Sequence, residues 1–353
     1  MHVGVLTGGG DCPGLNAVLR AVTLALIGEA GARVTGIERG FLGLLTRAVR
    51  PLTADTVAGL VAEGGTILGT HNRCDPFRYF GAEGRDCSAE AMAFARELGL
   101  DALVAIGGDG TMSIAHRFQA LGLPMVGVPK TIDNDLFGTD RTFGFDSAVA
   151  VVSEALDRLG TTGRSHGRVM IAETMGRYAG WIALEGGMAG GADVILLPEL
   201  PFSVEAVAQH CREREARGLA TIVCIAEGAA PAGGHLTVKE TLADSPDPLR
   251  LGGVGQWLQH QLQPRVTSEV RTTLLGHLQR GGSPTAFDRV LATRFGYHAA
   301  QLVEAGRWGH MVALQGDRCT EVPIAEVAGR NRTVPPDHPL LRAARGIGVQ
   351  LGA

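Results

Sequence analysis

Two apolar runs, 102–106 and 125–128, each stop at a loop crowded with glycines or carboxylates. The first opens into Gly107-Gly108-Asp109-Gly110-Thr111, the second into Pro129-Lys130-Thr131-Ile132-Asp133-Asn134-Asp135. Short runs rich in Val, Ile and Leu read as buried strands. Between them Met112, Ala115, Phe118 and Leu121 recur at helical spacing, which predicts a helix over 111–121. Such a strand–loop–helix–strand–loop unit puts both loops at one edge of a parallel sheet, where α/β folds bind ligands. Glycines there let backbone N–H groups approach phosphate at the helix N-terminus. Asp109, Asp133 and Asp135 add the carboxylates that a magnesium ion and a proton-accepting base require. The stretch reads as a phosphoryl-transfer site.

Elsewhere the chain repeats the pattern of a strand that ends in polar or glycine-rich residues. A strand over 3–6 opens into Thr7-Gly8-Gly9-Gly10-Asp11-Cys12-Pro13-Gly14, and Leu15, Val18, Leu19, Val22 and Leu26 then mark an amphipathic helix. That loop suits phosphate or equally a tight turn for helix–sheet packing; it matches neither a Walker P-loop nor GxGxxG. A strand over 33–37 follows. Arg73, in His71-Asn72-Arg73-Cys74, is placed either to reach a polyphosphate or to lie solvated on the surface. Further strands are expected at 169–172, 194–197, 221–226 and 272–275, with helices over 88–98, 147–159 and 286–304. Residues 236–248, polar and containing Pro and Asp, read as a surface excursion, and the tail from 320 as a surface wrap.

With 353 residues the chain is long enough for two lobes with substantial cores. A net charge of −4 without a block of like charges points to neither nucleic acid nor an anionic membrane as partner. No apolar run reaches membrane-spanning length, and the N-terminus enters a strand at once, leaving no room for a signal peptide. The six cysteines show neither CxxC nor disulfide-framework spacing, so reduced thiols in a cytoplasm are expected.

GGDGT alone says little beyond nucleotide phosphates near a strand end, since such loops also occur in kinases of NAD and of lipids. Taken with its companions it becomes specific. TGGGDCPGLNA (7–17), GGTILGT (64–70), AIGGDGT (105–111), PKTIDND (129–135), AETMGRYAGW (172–181), CIAEG (224–228) and LLGHLQRGGSP (274–284) together resemble the 6-phosphofructokinase family, in order and nearly to residue 310. The resemblance implies two α/β lobes, each with a parallel-rich sheet between helices, and an active site in the cleft. The donor lobe would comprise 1–143 and 279–310, and the fructose 6-phosphate lobe 144–278 with part of 311–353.

Carried onto this sequence, the resemblance makes Asp133 the base that deprotonates the 1-hydroxyl of fructose 6-phosphate, beside Ile132. Asp109 would hold Mg2+ with support from Asp135. Gly10, Arg73, Cys74, Gly108, Asp109, Gly110 and Thr111 would line the donor site. Thr131 and Arg177 would face the transferring phosphoryl group, where fixed positive charge offsets the charge on its oxygens. Met175, Gly176 and Glu227 would contact the sugar. The stretch His277, Leu278, Gln279 and Arg280 would bind the 6-phosphate, joined by Arg168 and Arg271 from a neighbouring subunit. That arrangement implies a homo-oligomer, expected as a tetramer.

Three departures from the family pattern carry information. Gly110 is the residue of ATP-using members, where pyrophosphate users carry an Asp that would crowd and repel the α-phosphate of a nucleotide. Lys130, by contrast, is typical of pyrophosphate users, so the signature resembles a subgroup holding both donor types, and ATP is the favoured donor. The donor loop places Arg73 one position later than relatives with a Ser-Ala-Arg pattern do. Of the cationic effector-site positions, Arg20 and Arg217 persist, whereas others read Leu24, Ala54 and Gly160; this implies weak or absent control by ADP or phosphoenolpyruvate. A non-catalytic sugar-phosphate or nucleotide sensor is the contrasting reading, against which the intact Asp109, Thr131, Asp133 and Arg177 argue.

Overall fold

The apolar runs become strands because their side chains have cores to fill on both faces. The structure, a computed structural model, describes residues 1–241 and 249–353. In chain order the strands are β1 His2–Thr7, β2 Arg33–Ile37, β3 Val49–Leu52, β4 Ala102–Gly107, β5 Met125–Pro129, β6 Val169–Thr174, β7 Val194–Leu196 and β8 Thr221–Ala226. They continue with β9 Val238–Thr241, β10 Leu249–Leu251, β11 Val270–Leu274, β12 His310–Gln315 and β13 Arg318–Pro323. Strands β1, β4, β5, β6 and β8 are buried along their whole length, as expected of parallel strands covered by helices on both faces.

Two large sheets result. The first runs β13-β12-β5-β4-β1-β2-β3, parallel from β2 to β12 with an antiparallel strand at each edge. The second runs β11-β6-β8-β7 and is wholly parallel. Strands β9 and β10 form an antiparallel ribbon; the rest of the polar stretch expected over 236–248, residues 242–248, lies outside the described residues. In the first sheet the strand order turns back beside β1, whose neighbours are β2 and β4, so the loops after β1 and β4 flank a topological switch point. The register puts Thr7 beside Ile106 and Gly107 beside Pro129, which sets the three loops in a row. In the second sheet Thr174 lies beside Ala226, bringing the loop after β6 next to Glu227.

The tail from 320 is mostly exposed, as expected of a surface wrap, but its first residues complete strand β13. Strands β12 and β13 extend the first sheet, with Met311, Val312 and Ala313 of β12 fully buried between β5 and the edge strand β13. Beyond Pro323 the chain crosses to the second sheet, where Gln350 bridges Val194 and the Ser203 N–H donates to the Gly352 carbonyl at 2.7 Å. Helices Leu15–Gly28 and Ala286–Glu304 cover the first sheet together, and they pack closely because Gly296 lacks a side chain: a Cβ there would lie 2.8 Å from the Val18 carbonyl oxygen.

Helix Phe145–His166 is tied to helix Ala286–Glu304 by a buried carboxylate. Asp288 Oδ2 accepts from the Ser147 N–H at 2.8 Å and from its hydroxyl at 2.6 Å. Burial nevertheless pushes the Asp288 carboxyl up to about 6, with the Ser147 bonds pulling the other way. Between the ordinary value of 3.8 and about 6 the folded protein keeps a proton that the unfolded chain releases, so this group's contribution to stability falls as pH rises through that window. Asp288→Asn is therefore expected to lose less stability than wild type does as pH rises from ~4 to ~7. Urea unfolding midpoints of both proteins across that range check it.

Candidate active site

The three loops at the carboxyl edge of the first sheet and the loop after β6 enclose a cavity of about 500 Å³. Its wall includes Gly10, Cys74, Gly108, Asp109, Gly110, Thr111, Lys130, Thr131, Asp133, Asp135, Arg177 and Arg280. Most of the residues singled out in the sequence for the donor and for the chemistry therefore meet in one place.

The glycine loop after β1 packs closely against its neighbours and also lines the cavity. Gly8 gives close packing, since a Cβ on it would lie 2.6 Å from the Thr111 hydroxyl; Gly10 faces the cavity beside the Arg280 guanidinium. The Arg280 Nη1 donates to the Asp11 carbonyl at 3.1 Å, which carries a cation from the 274–284 motif onto the first lobe. Gly108 has extended backbone and starts the helix Asp109–Ala120, so Asp109 and Gly110 occupy its first turn, with the free N–H groups and the positive end of its dipole. A Cβ on Gly110 would meet nothing within 4 Å. Arg117, one further turn along from Ser113 and Ile114, also reaches the wall and ion-pairs with Asp75 at 3.5 Å. Its spacing from Gly110 on one helix face was the available signal for it.

The loop after β5 is folded by its own side chains. The Asp133 N–H donates to the Thr131 hydroxyl at 3.0 Å, and the Thr142 hydroxyl donates to the Thr131 carbonyl at 2.7 Å. Asn134 takes a left-handed conformation, φ 52°, and its amide oxygen accepts from the Thr142 N–H at 3.0 Å. Asp133 is 4% exposed, and its Oδ1 is buried without a hydrogen-bond partner. Burial and the neighbouring Asp133 push the Asp135 carboxyl up to about 7, while a bond from the Thr131 hydroxyl opposes the rise. Lys130 is buried, and desolvation lowers its ammonium to about 8; Nζ donates to the Gly10 carbonyl, joining the first and third loops. Ile132 is fully buried and faces the core rather than the cavity.

On the second lobe, Arg177 is likewise left-handed, φ 51°, and its N–H donates to Glu227 Oε1 at 3.1 Å. Burial first, then the Asp133 charge, raises Glu227 to about 7. Gly176 has φ 138°, and a Cβ on it would lie 2.5 Å from the Ala179 carbonyl, so the turn that presents Arg177 needs glycine. Fully buried Gln279 accepts from the Met175 N–H at 3.3 Å and donates to the Gly276 carbonyl at 3.0 Å, holding the 274–284 loop against the Met175 turn. His277 is exposed, and Leu278 is 69% exposed.

Ten of the predicted residues are not on the cavity wall: Arg73, Ile132, Arg168, Met175, Gly176, Glu227, Arg271, His277, Leu278 and Gln279. Among the described residues of the donor loop, His71, Asn72, Cys74 and Asp75 line it, whereas the Arg73 guanidinium lies over the Phe80 ring at 5.7 Å. Arg168 and Arg271 both pair with Glu269, the former at 2.6 Å, at the start of β6 and β11. Six strand residues at ~3.3 Å each separate Arg168 from the loop that carries Arg177, so it lies at the far end of β6 from that loop. Conversely, Asn331 lines the cavity and was not foreseen, since no motif marks the tail.

A hard, oxygen-binding cation fits this site. Asp109, Asp133 and Asp135 supply carboxylates only, and the buried, unpartnered Oδ1 of Asp133 has a lone pair to spare. No cluster of three or more His, Cys, Asp or Glu side chains arranged for a metal occurs among the described residues.

The family pattern described as Phosphofructokinase matches residues 2–303. An ATP-dependent 6-phosphofructokinase of Chloroflexus aurantiacus is 50% identical, the match covering 99% of this chain and 98% of that protein. A pyrophosphate–fructose 6-phosphate 1-phosphotransferase of Streptomyces coelicolor is also 50% identical, over 95% of this chain and 97% of that one. Phosphofructokinase from Pichia pastoris, crystallised in the T-state, superposes with a TM-score of 0.81 at 33% identity; the match covers 92% of this chain but 37% of that much longer one. This chain belongs to the phosphofructokinase family.

Proposed function

We propose that the chain is an ATP-dependent 6-phosphofructokinase of glycolysis, moving the terminal phosphoryl group of ATP to the 1-hydroxyl of fructose 6-phosphate. The observation that carries the choice of donor is Gly110: it sits in the first turn of a helix at the cavity wall, with open space where a side chain would project. Asp133 takes the proton of the 1-hydroxyl, which lets the oxygen attack the phosphorus. Thr131 and Arg177 hold the phosphoryl group in transfer, and Lys130 adds charge nearby. Asp109, with Asp135, would hold Mg2+, which supplies positive charge to the donor phosphates. Met175, Gly176 and Glu227 orient the sugar, and His277 and Arg280 bind its 6-phosphate.

In this reading residues 1–143 and 279–310 handle the donor, and 144–278 with the end of the tail handle the sugar. Arg168 and Arg271 act on a neighbouring copy in a homotetramer. Their distance from the home cavity, and the exposed Leu274 at the end of β11 with Leu278 in the turn after it, support that assembly. The protein would work in the cytoplasm; no helix among the described residues is long and apolar enough to cross a membrane.

Pyrophosphate is the second reading, because Lys130 puts a buried cation beside Gly10 and because equally similar relatives carry both donor names. Initial rates of fructose 1,6-bisphosphate formation with magnesium and either donor test the proposal. Turnover with ATP and little with pyrophosphate is expected. Turnover with pyrophosphate alone assigns the donor to Lys130, and inactivity with both in a folded sample overturns the enzyme reading.

A further inference from the structure

The tail lies across the two loops that carry the chemistry. Its Gly329 N–H donates to Asp109 Oδ1 at 2.7 Å, and Asn331 bridges Leu136 in antiparallel fashion. Arg332 follows with four polar contacts. Its N–H donates to the Asp135 carbonyl at 2.7 Å; its Nη1 donates to the Asn134 carbonyl at 3.2 Å and to the Asp140 carbonyl at 3.0 Å. Its own carbonyl accepts from Trp181 Nε1 at 3.0 Å, and its guanidinium lies 4.3 Å from the centre of a Trp181 ring.

Each partner sits at a point of consequence. Asn134 is a left-handed residue between Asp133 and Asp135, a conformation that costs of the order of 1 kcal/mol or more and persists only when surroundings enforce it. Trp181, 2% exposed, heads the helix that follows the turn of Arg177, which is left-handed too. Two residues beyond Arg332, the Val334 N–H donates to Glu199 Oε1 at 2.8 Å, and the same oxygen accepts from Gly180 at 2.9 Å. One segment thus grips the base-bearing loop of the first lobe and the Arg177-bearing turn of the second.

We propose that Arg332 is a positioning residue for phosphoryl transfer: it fixes the turn at Asn134 relative to Trp181 and so sets Asp133 against Arg177 across the cleft. It touches neither substrate nor reacting atoms; it acts through two carbonyls and an aromatic face. Arginine suits the task because its planar fork reaches two acceptors while stacking on a ring, which a lysine ammonium cannot do. The proposal rests on the phosphofructokinase reading for its kinetic readout, whereas its spectroscopic readout does not.

The test uses full-length Arg332→Ala, Arg332→Lys and Trp181→Phe, each beside wild type. A loss of about 1 Å in placement costs up to about 10²-fold in rate, so Arg332→Ala is expected to lose kcat by about that factor while KM for both substrates stays within about threefold. Arg332→Lys recovers little of it, and millimolar guanidinium restores part of the alanine variant's kcat without raising that of wild type. Trp181→Phe keeps an aromatic face but loses the bond to the Arg332 carbonyl, and carries the test if Arg332→Ala does not fold; about a tenfold fall in kcat at constant KM is expected. In a background with Trp257→Phe and Trp308→Phe, Trp181 emission shifts to the red in Arg332→Ala, whichever reaction the protein catalyses. Unchanged kcat in Arg332→Lys and Trp181→Phe, or a loss confined to KM, overturns the proposal. Inactive wild type with the emission shift intact would strike the functional reading and leave the tail contact standing.

Discussion

Asparagine in place of Asp133 is expected to lower kcat by about 10³-fold and to leave KM for fructose 6-phosphate within about threefold. The alcohol of the sugar cannot attack until its proton has an acceptor, and Asp133 brings a carboxylate with a buried, unpartnered oxygen to the cavity wall. An amide of the same shape keeps the loop, because the bond that folds it runs from the Asp133 backbone to the Thr131 hydroxyl and not from its side chain. The variant should therefore melt close to wild type, which separates loss of the base from loss of the fold.

The same substitution has a second, opposite signature. Asp133 is among the causes that raise Asp135 and Glu227 to about 7, since like charges in a shared, desolvated site disfavour the ionised form. Removing it moves both groups down, toward the ordinary carboxylate range. The residual activity of Asp133→Asn should thus reach its plateau at lower pH than wild type does, in profiles of kcat/KM taken from about pH 5.5 to about 9. An unmoved profile together with full kcat would take the base role away from Asp133.

What could be read in the sequence and what could not divides along a physical line. The carboxylates and glycines of 107–135 announce themselves because the chemistry and the backbone turn use residue types that a buried strand end would otherwise avoid. Strands β1, β4, β5, β6 and β8 were legible for a related reason: helices on both faces leave them continuously apolar. Arg73 was less tractable, because cations near a phosphate loop look the same whether they face the cavity or lie over a ring such as Phe80. Strands β12 and β13 escaped notice, the latter being an edge strand whose exposure does not alternate. Arg332 and Gly329 were out of reach altogether, since they act on backbone carbonyls and a carboxylate nearly two hundred residues or more away in sequence. A contact of that kind leaves no spacing to read.

Aspartate at position 110 is expected to abolish most ATP-dependent turnover while sparing the fold and any turnover with pyrophosphate. The space is there: a Cβ on Gly110 meets no atom within 4 Å, and the residue's backbone lies outside the left-handed region that strains other side chains. The fold should tolerate the carboxylate, because the first turn of helix Asp109–Ala120 presents unpaired N–H groups and a positive dipole end, worth about 0.3–1 kcal/mol to an anion. The cost falls on the ligand. A carboxylate about 5 Å from a nucleotide α-phosphate, at an effective dielectric of about 20, repels it by about 3 kcal/mol, or roughly 10²-fold in kcat/KM for ATP. Pyrophosphate has no third phosphate to place there, so its rate should change far less, and the ratio of the two donors' kcat/KM is the quantity to measure. Lys130 bears on the same ratio: buried and held near 8, it offers a cation to whichever phosphates approach Gly10. If Gly110→Asp lowered both donors equally, the glycine would be serving the helix start or the catalytic loop rather than the nucleotide, and the donor would have to be assigned to Lys130. If it lowered ATP alone, one absent side chain would account for the choice between two phosphoryl donors on an otherwise shared site.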